Sequence, residues 1–179
     1  MNNQSMLPDA KAAAAGSRAA REVLSYQSFG VGVRELAQAV VDSGFEPDVV
    51  LGIARGGLIP AGALAYALGC KNLFTLSVEF YTGVDTRHDV PVMLPPFLDP
   101  QDLDDATVLV VDDVADTGRT LELVNRFCEG HVAHTRTAVL YEKSQSVIKA
   151  DYVWRYTDRW INFPWSTQPP VTPAQVASS

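Results

Sequence analysis

The run Val108-Leu-Val-Val-Asp-Asp-Val-Ala-Asp-Thr-Gly-Arg-Thr120 constrains this chain more than any other feature. Its first part, Thr107–Val111, is almost pure β-branched apolar sequence, short enough for a strand and too apolar to show a face to water. A strand buried on both faces needs helices on both sides of its sheet, and the chain supplies them. Val31–Ser43 places Val33, Leu36, Ala37, Val40 and Val41 on one helical face, with Gly44 as the stop. Asp48–Ala54 is a second continuous apolar run, ending in Arg55-Gly56-Gly57. Leu58–Leu68 has helical spacing and stops at Gly69, and Leu73–Phe80 reads as a strand. Thr120–Cys128 is helical again, and Thr135–Tyr141 and Tyr152–Arg155 are further strands. The alternation predicts an α/β fold, a mainly parallel sheet flanked on both faces by helices.

The 179 residues suit about one domain. We expect it over 26–166, preceded by an Ala-rich segment, 1–25, forming a small hood or a frayed helix, and followed by a loose tail, 167–179. From Tyr81 to Asp105 the chain has mixed charge, four prolines and no sustained period, so this stretch is expected to be a structureless, mobile cover loop. The 14 basic residues are outnumbered by 21 acidic ones, for a formal charge of -7, which argues against a nucleic-acid partner. No apolar run approaches the ~18 residues of a membrane span. The opening residues have no basic region followed by an apolar core, so no secretory signal is expected. Cys70 and Cys128 form no CxxC and have no His at ligand spacing, which fits a reduced cytoplasmic protein.

Ligands of open parallel sheets bind beyond the carboxyl ends of the strands. The strand ending at Val111 delivers two adjacent carboxylates, Asp112 and Asp113, then a third, Asp116. Two carboxylates about 4 Å apart repel by roughly 4 kcal/mol at an effective dielectric of ~20, so the cluster calls for a cation or hydroxyl donors. Thr117-Gly118-Arg119-Thr120 then opens a helix with a small turn residue and two hydroxyls, the makings of a phosphate cradle. Acids for Mg²⁺ and sugar hydroxyls beside an anion cradle point to one ligand carrying ribose and phosphate. A two-component receiver domain also opens on an apolar strand and Asp-Asp, but too few residues follow Asp112 for the βα units it needs. The calcium-loop register and the Walker A sequence are both absent, and Gly30-Val31-Gly32 is too small a fragment of a dinucleotide fingerprint.

Val108–Thr120 closely resembles the phosphoribosyl-pyrophosphate (PRPP) binding signature of type I phosphoribosyltransferases. Three further segments, in the same chain order, narrow the resemblance to 6-oxopurine enzymes of the xanthine-guanine type. Ala54-Arg-Gly-Gly-Leu-Ile-Pro60 is similar to that family's pyrophosphate loop, Tyr141-Glu-Lys-Ser144 to the strand end with its purine-contacting lysine, and Trp160-Ile-Asn-Phe-Pro-Trp165 to the segment that stacks on the base.

The resemblance implies the type I phosphoribosyltransferase fold with a small hood. It also implies transfer of 5-phosphoribosyl from PRPP to a 6-oxopurine in purine salvage, with Mg²⁺ as cofactor. Asp112 and Asp113 would engage the ribose hydroxyls, directly or through Mg²⁺. Asp116, Thr117, Gly118, Arg119 and Thr120 would hold the 5′-phosphate, with Asp116 also facing N7 of the purine. Arg55 and the Gly56 and Gly57 amides would bind pyrophosphate, in a loop that in relatives carries a non-proline cis peptide. Lys143 would donate to O6, Trp160 would stack on the ring, and the Ile161 carbonyl would accept from the purine edge. Tyr81 would belong to the closing cover. Trp165 is read as a core or interface aromatic. Relatives imply a homo-oligomer, dimer or tetramer. Ser144 and Ser166 depart from the family pattern, a proline and an acid respectively, which leaves the preferred base open. A PRPP-sensing regulator without catalysis and an enzyme for another nucleobase are the alternatives.

Overall fold

A computed structural model describes residues 21–81, 90–94, 103 and 105–172. Its centre is a six-stranded sheet built on β2 (Val49–Ala54) and β5 (Thr107–Ala115), which pair in parallel with Gly52 opposite Val111. β3 (Leu73–Tyr81) flanks β2 in parallel, and β4 (Val90–Met93) closes that edge antiparallel. On the other side β6 (His134–Glu142) and β7 (Tyr152–Tyr156) continue the parallel run, giving the order β4-β3-β2-β5-β6-β7.

β5 shows why the apolar run is unbroken. Leu109 and Val111 enter one cluster, with Val40 and Leu64 from the helices α1 (Tyr26–Asp42) and α2 (Leu58–Leu68). Val108 and Val110 enter the opposite cluster, with Leu121 and Val124 of α3 (Arg119–Glu129). Each of these fully buried side chains contributes roughly 1.5–3 kcal/mol. Among the described residues no helix is long and apolar enough to cross a membrane.

Four features differ from the sequence expectation. α1 starts at Tyr26, capped by the Ser25 hydroxyl, which accepts from Ser28 N at 3.0 Å. The apolar spacing marks only Val31–Ser43, and glycine disfavours helix. Yet Gly32 is where α1 meets the Trp154 ring, 2.7 Å from where a Cβ would lie. β5 runs on through Asp112 and Asp113 to Ala115, so the acid pair sits on strand rather than in the turn after it. The stretch from Tyr81 to Asp105 is not structureless, since it contains β4; residues 82–89, 95–102 and 104 lie outside the described residues. Glu22–Val23 forms a short strand, β1, parallel to β8 (Ile161–Asn162), while 1–20 lies outside the described residues.

The connectivity locates the site. After β2 the chain adds β3 on one side and later places β5 on the other, so the connections leave β2 and β5 in opposite directions. A crevice opens at such a switch, beyond the strands' carboxyl ends. Arg55-Gly56-Gly57 follows β2 there, and Asp112–Gly118 ends and follows β5.

Candidate active site

Asp112 and Asp113 lie half-buried at the end of β5, and Asp113 N donates to Asp112 Oδ1 at 2.8 Å. Burial, reinforced by the Asp113 charge, holds the Asp112 carboxyl well above the usual carboxylate range. Burial likewise pushes Asp113 up to about 6, although a hydrogen bond from the Trp165 side chain pulls it back. A divalent cation would offset this repulsion. Among the described residues no group of three or more His, Cys, Asp or Glu could hold a metal. A cation at this pair would therefore draw most of its ligands from substrate oxygens and water. That donor set fits Mg²⁺, which keeps several waters and binds one or two carboxylates beside phosphate.

The pair makes a pH prediction. An acid whose folded pKa is raised binds its proton more tightly in the native state, so unfolding releases protons and stability falls as pH rises. We expect the melting temperature of the metal-free protein to fall as pH rises from the ordinary aspartate range through about 6, with added Mg²⁺ restoring it at the high end. Calorimetry across that range, compared with Asp113→Asn, checks this; an identical profile in the variant would remove Asp113 as its source.

The turn after β5 is built from outside. Gly118 adopts φ 75° and caps α3. A Cβ there would strike Ser146 Oγ and lie 3.1 Å from Val147 N, so only glycine fits both the left-handed backbone and the contact. The β6–β7 connection braces the turn through Lys143 N to Ala115 O at 3.0 Å and Val147 N to Thr117 O at 2.9 Å. In front of the turn lies a cleft of about 340 Å³, lined by Asp112, Asp116, Thr117, Gly118, Arg119 and Thr120. The first N–H groups of α3 have no helical partner, and the helix N-terminus favours an anion.

A second cleft, about 320 Å³, shares Val114 and Asp116 with the first. Lys143 and Trp160 line it. Lys143 is buried, with Nζ 3.2 Å from Asp116 Oδ2 and 5.9 Å from the centroid of the exposed Trp160 ring. Gln145 Nε2 donates to the other Asp116 oxygen, Oδ1, at 2.6 Å. β1 occupies the Trp160 and Asn162 carbonyls, through Glu22 N at 2.9 Å and Leu24 N at 3.1 Å. Successive carbonyls of a strand alternate, so that of Ile161 points to the opposite edge.

The third cleft, about 970 Å³, meets the second at Ser166 and is lined by Arg55, Gly56, Asp113, Trp165, Gln168 and Pro169 among others. The Ala54–Arg55 peptide is cis. Gly56 faces the Asp113 carboxylate, and a Cβ on Gly57 would lie 2.5 Å from Val111 O and 2.6 Å from Ile53 O. The close approach of this loop to the acid pair thus depends on two residues without side chains. Tyr81 ends β3, beyond the Ala54–Ser77 pairing and so on the same carboxyl edge; its side chain lies outside the described residues.

The structure therefore brings the residues singled out in the sequence to one edge. Sequence reasoning missed four contributors. Gln145 stands in no pattern; Trp165 packs on Phe163 and Phe29 but also lines the third cleft beside Asp113; and Gln168 and Pro169, assigned to a loose tail, line the same cleft.

A parallel sheet with these groups along its carboxyl edge marks an α/β protein with a strand-end site. Residues 19–171 match the phosphoribosyl transferase domain, and the chain belongs to that family. It is 36% identical over 132 residues to a xanthine-guanine phosphoribosyltransferase of Gluconobacter oxydans, covering 72% of this chain and 74% of that protein. A xanthine-guanine phosphoribosyltransferase of Roseobacter denitrificans is 33% identical over 120 residues, 65% of this chain and 66% of that one. Among solved structures, a purine phosphoribosyltransferase from Pyrococcus horikoshii superposes with TM-score 0.72 at 34% identity, over 86% of this chain and 98% of that one.

Proposed function

We propose that the protein is a purine-salvage enzyme that transfers 5-phosphoribosyl from PRPP to a 6-oxopurine, releasing pyrophosphate and forming the nucleoside 5′-monophosphate. The observation that carries this reading is the Lys143–Asp116 ion pair, which sits where the two smaller clefts meet. One cleft has the anion turn of a sugar phosphate, and the other has a lysine and an aromatic face suited to a 6-oxo ring.

In this reading Thr117, Gly118, Arg119 and Thr120 hold the 5′-phosphate, and Arg55 with the Gly56 and Gly57 amides holds the pyrophosphate. Asp112 and Asp113 engage the ribose 2′- and 3′-hydroxyls and face the positive charge that the sugar acquires as the C1′–oxygen bond breaks. The same two carboxylates would hold Mg²⁺, whose charge would offset that of the leaving pyrophosphate. The base lies against Trp160, with O6 accepting from Lys143 Nζ and the purine edge donating to the Ile161 carbonyl. As N9 bonds to C1′, the N7 proton passes to Asp116, where Oδ2 exchanges its Lys143 contact for it. Tyr81 heads the cover that excludes water from the reactive sugar. A homo-oligomer acting in the cytoplasm completes the reading.

Incubation with PRPP, Mg²⁺ and a panel of bases tests it, with product nucleotides resolved by chromatography. Guanine, xanthine or hypoxanthine should be converted and adenine should not, since its 6-amino group is a donor facing another donor. Conversion of adenine alone would overturn the role of Lys143.

A further inference from the structure

Asp116 has both carboxylate oxygens occupied, by two side chains of one loop. Lys143 Nζ lies 3.2 Å from Oδ2, and both residues line the base cleft. Gln145 donates to Oδ1 at 2.6 Å, is exposed, and does not line that cleft. An ionised carboxylate only accepts, so the Gln145 amide must present its NH₂ group.

The two partners differ in what base binding asks of them. Lys143 has to serve O6, and Oδ2 has to receive the N7 proton, so the bond between them is exchanged when a purine arrives. The bond to Gln145 can persist. Its loop is held on both sides of Gln145, by Lys143 N to Ala115 O and Val147 N to Thr117 O. Beyond these, the buried Glu142 carboxylate accepts from Ala150 N at 2.8 Å and pairs with Lys149 Nζ at 3.0 Å. The Asp116 side chain is 46% exposed, so packing alone does not fix its plane.

We propose that Gln145 is a positioning residue: its amide anchors Oδ1 from outside the cleft and keeps Oδ2 aimed at the base while Lys143 changes partner. This rests on the reading of Asp116 as the N7 proton acceptor. Nothing in the sequence marks the residue, since an isolated glutamine in a loop carries no pattern.

Gln145→Glu and Gln145→Ala test it, assayed beside the wild type with PRPP and each 6-oxopurine over about pH 5 to 9. The first variant is isosteric, so a packing role predicts wild-type kinetics, whereas loss of the donor and an opposed charge predict a lower kcat. At neutral pH we expect kcat to fall about tenfold in the alanine variant and further in the glutamate variant, with KM for PRPP within about twofold. The deficit of Gln145→Glu should narrow as pH falls and the introduced carboxyl takes up a proton that it can donate. Both variants should melt like the wild type, because residue 145 is exposed. Wild-type turnover with both variants equal to it at every pH would overturn the role of Gln145 and leave the proposed function standing. No turnover by the wild type with any base would overturn both.

Discussion

Asp116→Asn should lower kcat by about two to four orders of magnitude while changing the dissociation constant of PRPP no more than severalfold. General acid–base groups typically contribute ~10²–10⁴-fold. Asparagine keeps the size of the side chain and an oxygen that can accept from Lys143 or Gln145. The turn also keeps its braces, which run through the backbone at Ala115 and Thr117. The phosphate cradle should therefore survive while proton acceptance does not. Steady-state kinetics with a 6-oxopurine, paired with calorimetric titration of PRPP, separates the two effects; an unchanged kcat would remove Asp116 from proton transfer.

Gly57→Ala should be nearly as damaging, by a different route. The new methyl would meet Val111 O, Ile53 O and the Asp112 Cα, at 2.5, 2.6 and 3.0 Å. All three are backbone atoms of β2 and β5, so no rotamer change relieves the contact. The loop must move, at a cost of about 1–3 kcal/mol, and Arg55 moves with it. A displacement near 1 Å at a reacting centre costs on the order of 10²-fold, and we expect kcat/KM for PRPP to fall by at least that much. Gly62→Ala is the control, since a Cβ there meets nothing within 4 Å. That variant should retain activity and gain up to ~1 kcal/mol of helix stability. Equal activity in the two variants would show that the Arg55 loop tolerates displacement.

Much of the fold was legible because buried parallel strands write themselves as unbroken apolar runs. β2 and α2 were read nearly to the residue, and Gly69, at φ 70°, supplied the stop for α2. Legibility failed where tertiary contact overrides local preference. Gly30 and Gly32 disfavour helix in the first turns of α1, and at Gly32 the close approach of the Trp154 ring accounts for the glycine. β1 and β8 are two residues long and have no period to detect. β4 contains Pro91, tolerated because the strand lies at the edge and pairs with β3 alone.

The site divides in the same way. Asp112, Asp113, Asp116, Arg55 and Lys143 stand at strand ends, where apolar pattern gives way to charge, so position and chemistry coincide in the sequence. Gln145, Trp165 and Gln168 are brought in by loops whose course no local pattern dictates. The formal charge of -7 also reads differently once placed. Part of the acidic surplus is the strand-end cluster, where a sugar and a cation are the expected partners.

The most direct test of the central claim is a stoichiometry. Purified protein with PRPP, Mg²⁺ and guanine, xanthine or hypoxanthine should release one pyrophosphate for each purine nucleoside 5′-monophosphate formed. Tight PRPP binding with no pyrophosphate released for any base would contradict the account and leave a sensor in its place.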